Sequence, residues 1–380
     1  MTKQNIDLNN LDKSNWKLFK FEEIAQKISK TVKPEEADVD IYVGLEHLDA
    51  NDIHIRRKGV PSDVKGGKLR CYPGDVIFGK RRAYQRKAAI VDFDGICSAH
   101  AFVFRANSDI INPKLFPFFL HSDQFMHRMV DISVGGLSPT INWGDLKHQE
   151  FLLPPKDQQA KLAQLLWAMD EVVERETEVL GKLKIDKTVS LKNYFKQDTM
   201  EVQLKKIGEI ITGSTPSTKN KDYWNGDIPF VTPADLETQI SIEKTVRSIS
   251  EKGLQVTREI PPNSLMVVCI ASVGKMGIST KRCATNQQIN TIIPNVDINA
   301  KYLYNTFNLF IHRIISRAAN SVVPILNKGD FSLIKMPLLD KIERDKFVKI
   351  ADKFDDSIND LESKIQSSKA LQMSLINQLF

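Results

Sequence analysis

The chain has 380 residues, enough for two or three domains with cores of their own. Hydrophobic residues make up 42% and charged residues 26%, an ordinary globular balance, and no stretch approaches the roughly 18 to 20 apolar residues of a membrane span. A net charge of +6 and a pI near 8.9 are weak evidence for a polyanionic partner, so the distribution of the cations matters more than their sum.

The N-terminal MTKQNIDLNNLDKSN is polar and lacks the apolar core of a secretory signal. Cys71, Cys97, Cys269 and Cys283 form no CxxC pair. In a chain this long that spacing suggests reduced thiols and a cytoplasmic location.

Short apolar runs predict strands over 75–83, 87–93 and 99–105, followed by a helical stretch over 114–130. A proline motif, SPTINWGDL, covers 138–146, and a long helix is expected from 156. The same order then returns. Strands are expected over 228–233, 264–272, 277–283 and 289–294, a helical stretch over 301–318, VPILNKGDF over 323–331 and a second long helix from 341.

The return is a true repeat. Pro139, Asn142, Gly144 and Asp145 match Pro324, Asn327, Gly329 and Asp330, each pair 185 residues apart. That offset runs on through Asp170 and Asp355 to Phe195 and Phe380. At the start, WKLFKFEEI from Trp16 aligns with VQLKKIGEI from Val202 at an offset of 186.

Apolar residues recur at steps of three and four in both long segments: Leu162, Leu165, Met169, Val172, Val173, Leu180 and Leu183, then Phe347, Ile350, Phe354, Ile358, Leu361, Ile365, Leu375 and Leu379. Neither segment contains proline. Such stripes are the seam of a two-helix coiled coil; the rival is two amphipathic helices, each packed on its own domain. The first helix leads into the second domain, so the second must run back to bury its stripe. The expected fold is therefore α+β: two similar mixed α/β globular domains separated by two long antiparallel coiled-coil helices, with pseudo-twofold symmetry. The boundaries read 1–155, 156–196, 197–340 and 341–380.

Between Arg56 and Lys87 stand eleven Lys or Arg against two acids, Asp63 and Asp75. At its centre Lys80, Arg81, Arg82, Arg86 and Lys87 surround Tyr84. Cations interleaved with an aromatic suit phosphate contact and base-edge readout; the alternative is a solvated turn between strands. The equivalent stretch of the second half, CIASVGKMG, offers Ser272 and Lys275. Next to it, ATNQQIN carries Asn286, Gln287 and Gln288, amides that can pair with adenine or, equally, tie down nearby backbone. GSTPS contributes Ser214 and Thr215, small enough for phosphate approach or for a simple turn.

With GSTPS, YWNGDIPFVTPADL, IASVGKMG and ATNQQ in the second half and PGDVIFGKRRAYQRKAAIVDFDGICSAHAFVF in the first, the chain resembles the specificity subunits of type I restriction-modification enzymes. The first half shows no counterpart of GSTPS or YWNGDIP. The resemblance implies a non-catalytic subunit that binds a bipartite double-stranded DNA target, one target-recognition domain per half-site, with the helices as a ruler. It also implies two methyltransferase subunits and restriction/translocase subunits as partners. These would hold the S-adenosylmethionine, ATP and Mg, and this chain would bind no cofactor. Motifs shared by family members that read different targets suit scaffold or phosphate roles, which leaves Arg81, Arg82, Tyr84 and Arg86 as the first choices for reading bases.

Enzymatic rivals lack their motifs. There is no FxGxG cofactor loop, no DPPY tetrapeptide and no GxxxxGK[ST] phosphate loop. The histidines are scattered; Cys97 with His100, three apart, and His121 with His127, six apart, are the pairs that could suggest a metal or a nucleophile, and isolated His and Cys are usually structural or solvent-facing. A pure protein–protein scaffold is the remaining alternative.

Overall fold

Pro154 and Pro155 cannot continue a strand, and the first long helix starts beyond them at Lys156–Lys192. The second spans Lys341–Leu379, its first turn capped by Asp340, whose Oδ1 accepts the Glu343 amide at 2.9 Å. The first helix thus stops a few residues short of 196. The computed structural model describes residues 13–237, 240–318 and 323–380. They fall into two units, one made of the chain up to Glu178 plus Glu362–Phe380, the other of Val179–Leu361. Each long helix contributes one part to each unit.

The first unit contains β1 (Lys17–Lys20), β2 (Ala25–Ile28), β3 (Thr31–Val32), β4 (Tyr42–Val43), β5 (Lys68–Cys71), β6 (Val76–Gly79), β7 (Ala88–Ile90), β8 (Gly95–Cys97), β9 (Ala101–Ala106) and β10 (Glu150–Leu153). One sheet has the order β2-β9-β6-β7, a second β3-β5-β8-β4, and β1 pairs with β10. The helical stretch over 114–130 is broken at Ser122, which ends Phe116–His121 and caps Asp123–Asp131 through its hydroxyl. Phe21, Phe78, Phe104, Phe119, Phe125 and Phe151 form an aromatic core between sheet and helices.

The second unit contains β11 (Glu201–Gln203), β12 (Gly208–Thr212), β13 (Trp224–Val231), β14 (Ser241–Ile242), β15 (Arg247–Ile249), β16 (Leu265–Val268), β17 (Met276–Ser279), β18 (Ala284–Thr285), β19 (Ile289–Pro294) and β20 (Lys335–Pro337). The order β12-β19-β16-β17 repeats that of the first unit, with β14 added at the edge. The parallel pair β13-β18 repeats β4-β8, and β11-β20 repeats β1-β10.

The repeat extends to single hydrogen bonds. Phe21 N donates to Gln149 O and Leu204 N to Ile334 O. Asn107 donates from Nδ2 to Glu23 O at 2.9 Å, and Asn295 to Lys206 O at 3.0 Å. These bonds place Phe21 on Leu204 and Ile24 on Ile207, an offset of 183 rather than the 186 read from WKLFKFEEI. The slip is three residues, close to one helical turn, so Phe21 and Ile24 meet apolar residues in both alignments.

A buried polar residue one turn into each long helix locks it to its own unit. Gln159 donates to the carbonyls of Pro154 (2.8 Å) and Ile110 (2.9 Å). Its counterpart Arg344 donates to Leu339 O at 2.8 Å and pairs with Asp297 at 2.7 Å.

Within each unit the two helical parts pack antiparallel. In the first, Leu162 and Leu166 cluster with Leu375, Ile376 and Leu379, and Glu176 pairs with Lys364 at 3.2 Å. In the second, Lys187 pairs with Asp355 at 2.6 Å, and the rings of Tyr194 and Phe347 meet at 5.5 Å. Parts of the stripes therefore bury against each other as well as against their domains, while Val172 of the first stays 49% exposed and Leu166 takes a buried place beside Leu165. Each buried Leu or Ile of this kind contributes roughly 1.5–3 kcal/mol.

Candidate nucleic-acid interface

In the first unit, β6 delivers the basic stretch to the surface. Two residues in the left-handed region, Arg82 (φ 56°) and Arg86 (φ 52°), flank a 3-10 turn over Ala83–Gln85. Ala83 points into the core, and Tyr84 stands out with 56% of its surface exposed. The loop is pinned from beneath by the proline motif: Arg82 N donates to Pro139 O (2.8 Å) and Ile141 N to Lys80 O (2.9 Å). This is a rigid mount with an aromatic tip.

The cations differ in what they can offer. Arg82 is exposed. Arg81 Nη1 lies 3.3 Å from His100 Nε2. Lys80 sits over the Phe102 ring at 5.3 Å, and burial, with Lys27 and Arg81 nearby, pulls its pKa down. Lys87 donates to Leu45 O at 2.7 Å. Arg86 is committed to protein on every side. Its guanidinium donates to Asn51 Oδ1 (2.7 Å) and His121 O (2.6 Å) and pairs with Asp123 (2.8 Å). With 19% of its side chain exposed, Arg86 braces the turn and is poorly placed to reach a base.

In the second unit the turn after β16 is mounted in the same way. Ala271 N donates to Pro324 O (2.9 Å) and Leu326 N to Cys269 O (2.8 Å). The turn carries Ser272, and at its end Lys275 pairs with Glu237. Beside it, GSTPS and ATNQQ come together through Thr215, which donates to Gln287 Oε1 at 2.7 Å. Gly213 is required there, because a Cβ would lie 2.2 Å from Asn286 O. Ser214 is partly exposed. Trp224 donates to Ser217 O (3.1 Å), and the Arg247 guanidinium covers its ring at 3.7 Å. Arg247 was not legible as a surface cation from the sequence, because nothing local pairs it with Trp224.

The amides divide between the two roles open to them. Asn286 ties down its own turn, accepting from Gln288 N (3.1 Å) and donating to Gln288 Oε1 (2.9 Å). Gln287 is exposed. The first unit does contain a counterpart of this motif, which motif matching missed. The parallel pairs Tyr42–Ile96 and Phe230–Ala284 set Cys97-Ser98-Ala99-His100 on Thr285-Asn286-Gln287-Gln288. They also set YVGLEHL on FVTPADL. Side chains differ at these positions while main-chain pairing is retained, so hydrogen-bond register was the missing signal.

Cys97 and His100 face opposite ways: Cys97 is buried and His100 exposed. A side-chain hydrogen bond with Cys71, and then burial, hold the Cys97 thiol well above its usual range. Among the described residues no group of three or more His, Cys, Asp or Glu could hold a metal ion. Among them no helix is long and apolar enough to cross a membrane.

Comparison with known proteins gives one consistent result. Residues 13–184 and 196–368 each match the type I restriction modification DNA specificity domain. The chain is 22% identical to the Haemophilus influenzae "Type I restriction enzyme HindI specificity subunit", over 77% of this chain and 82% of that protein. It is 30% identical to the Methanocaldococcus jannaschii "Type I restriction enzyme MjaIX specificity subunit", over 47% of this chain and 43% of that one. Among solved structures, a chain from a type I R-M system complex aligns with TM-score 0.62 at 18% identity, covering 96% of this chain and 97% of that one. The S subunit of a type I restriction-modification system from M. genitalium aligns with TM-score 0.55 at 15% identity, covering 100% and 98%. The resemblance read from the sequence is borne out, and so is the two-domain mixed α/β fold.

Proposed function

Because this chain belongs to the family of type I restriction modification DNA specificity domains and carries two of them, we propose that it is the non-catalytic recognition subunit of such a system, each unit reading one half of a bipartite DNA target. One observation carries this reading: two surfaces share a main-chain mount but differ in side chains. The first presents Arg81, Arg82 and Tyr84; the second presents Ser214, Thr215, Ser272 and Gln287, and a Trp224–Arg247 stack. A repeated scaffold with divergent side chains is what reading two different half-sites requires. Arginine pairs with guanine edges, glutamine with adenine edges, and hydroxyls approach phosphates.

In this proposal the chain acts in the cytoplasm and organises two methyltransferase subunits, with restriction/translocase subunits joining them. S-adenosylmethionine, ATP and Mg belong to those partners. Lys80, Lys87, Lys275, Asn286 and Gln288 serve the scaffold or the phosphates, and Arg86 braces the mount. The two long helices set the spacer between half-sites.

The test is a binding titration across salt, using the duplex motif found by methylation profiling of cells carrying the whole system. The expected result is specific binding whose affinity falls steeply with salt, as Lys and Arg displace condensed cations. Absence of a specific shift at every salt concentration would return the chain to a protein–protein scaffold. Methyl transfer or cleavage by the chain alone would overturn its non-catalytic role.

A further inference from the structure

The turn Ser98–His100 in the first unit and the turn Asn286–Gln288 in the second obey one rule. A side-chain oxygen accepts the amide two residues on: Ser98 Oγ from His100 N (3.2 Å), Asn286 Oδ1 from Gln288 N (3.1 Å). The amide of the first residue donates to the parallel strand in each case, Ser98 to Val43 O and Asn286 to Val231 O. The carbonyl of the first residue accepts the amide three on, from Ala101 and from Ile289. His100 and Gln288 are therefore presented by identical backbone. Their neighbours on the adjoining loop, Arg81 and Ile270, are equivalent too, each bridging to the proline motif at Thr140 and Ile325.

At both positions the main chain is kept and the side chain changes: His for Gln, Arg for Ile. Only the first unit can form the contact seen there, with Arg81 Nη1 3.3 Å from His100 Nε2. A guanidinium only donates, so Nε2 accepts and the imidazole carries its proton on Nδ1. Burial and the cations Arg81, Lys80 and Lys68 all pull the His100 pKa down, which keeps the ring neutral and able to accept.

We propose that His100 and Arg81 form one reading element for the first half-site, in which His100 is a specificity-determining positioning residue that sets the plane of the Arg81 guanidinium. The proposal rests on the DNA-reading function above and adds to it a residue and its role. A long arginine side chain on an open surface samples many rotamers, and bidentate pairing with a base needs one plane. An acceptor presented by the turn narrows the rotamers from which that plane is drawn. The Nδ1–H, directed away from the arginine, remains a donor for the same base pair or its neighbour.

The experiment compares Arg81→Ala, His100→Ala and His100→Gln in the complete restriction-modification complex, profiling the methylated motif base by base and checking folding by the melting midpoint. The expected result is that Arg81→Ala and His100→Ala relax the same base pair of the same half-site, discrimination there falling on the order of tenfold. The other half-site keeps its preference, and His100→Gln, which retains an acceptor, keeps most of the discrimination. If His100→Ala leaves base preference intact while Arg81→Ala relaxes it, the pairing is overturned. Equal weakening on all sequences overturns it as well, because that is the signature of a phosphate contact or of lost structure. A wild-type complex that methylates no two-part sequence sinks the DNA reading itself, before any variant is compared.

Discussion

Arg82 and Ala271 hold the same left-handed backbone conformation, with φ of 56° and 64°, at the turn that follows equivalent strands in the two units. Each amide donates to a proline carbonyl, Pro139 or Pro324. An L-residue with a Cβ is strained in this region by about 1–2 kcal/mol. Glycine at either position should therefore raise stability by about 1 kcal/mol in chemical denaturation, part of the relief being offset by the freedom glycine gains when unfolded. Ala271→Gly should do this with little change in DNA affinity. Arg82→Gly should gain the same stability yet lose affinity for the first half-site.

Arg86 and Arg81 lie close in sequence and should fail differently. Arg86→Ala removes three charge-assisted contacts, to Asn51, His121 and Asp123. A loss of about 1–3 kcal/mol in stability is expected, with unchanged base preference. Arg81→Ala should leave the melting midpoint nearly unchanged and weaken binding at one half-site only. Equal effects of the two would remove the distinction between brace and reader.

Two histidines of the first unit should oppose each other in pH dependence. Burial pulls His121 down to about 4. The unfolded chain takes up a proton near pH 6.5 and the folded chain does not, so stability present above 6.5 is lost as pH falls toward 4. His54 is raised, first by its hydrogen bond to Asp170 at 2.8 Å. Its contribution is full below pH 6.5 and is lost as pH rises through the folded pKa. Denaturation curves across this range should show His121→Gln flattening the acid loss, and Asp170→Asn costing stability mainly at low pH.

Four residues inserted into each long helix at matched levels, beside Gly181 in the first, add about 6 Å. The preferred spacer should lengthen by one or two base pairs at about 3.4 Å each. A methylated motif with its old spacing would end the ruler hypothesis.

The sequence made the repeat, the long helices and the basic loop legible, because Pro139, Asn142, Gly144 and Asp145 recur and apolar stripes run without proline. It hid what depends on partners far along the chain. Asp170 and Asp355 occupy matched positions, yet one holds His54 and the other Lys187. Arg86 looked like a reader because Asn51 and Asp123, which engage it, lie about 35 residues away on either side. The counterpart of ATNQQ in the first unit shares strand pairing and almost no side chains, so motif matching passed over it.

The second unit is one uninterrupted run, Val179–Leu361, whereas the first is completed by Glu362–Phe380. Without that closing stretch, Leu162 and Leu166 lose Leu375, Ile376 and Leu379, and the Phe119 ring loses Phe380, 5.3 Å away. Exchange of a single block of coding sequence can thus transplant the second reader whole and leave its companion intact. The first travels as a self-sufficient piece only if its two ends are spliced together.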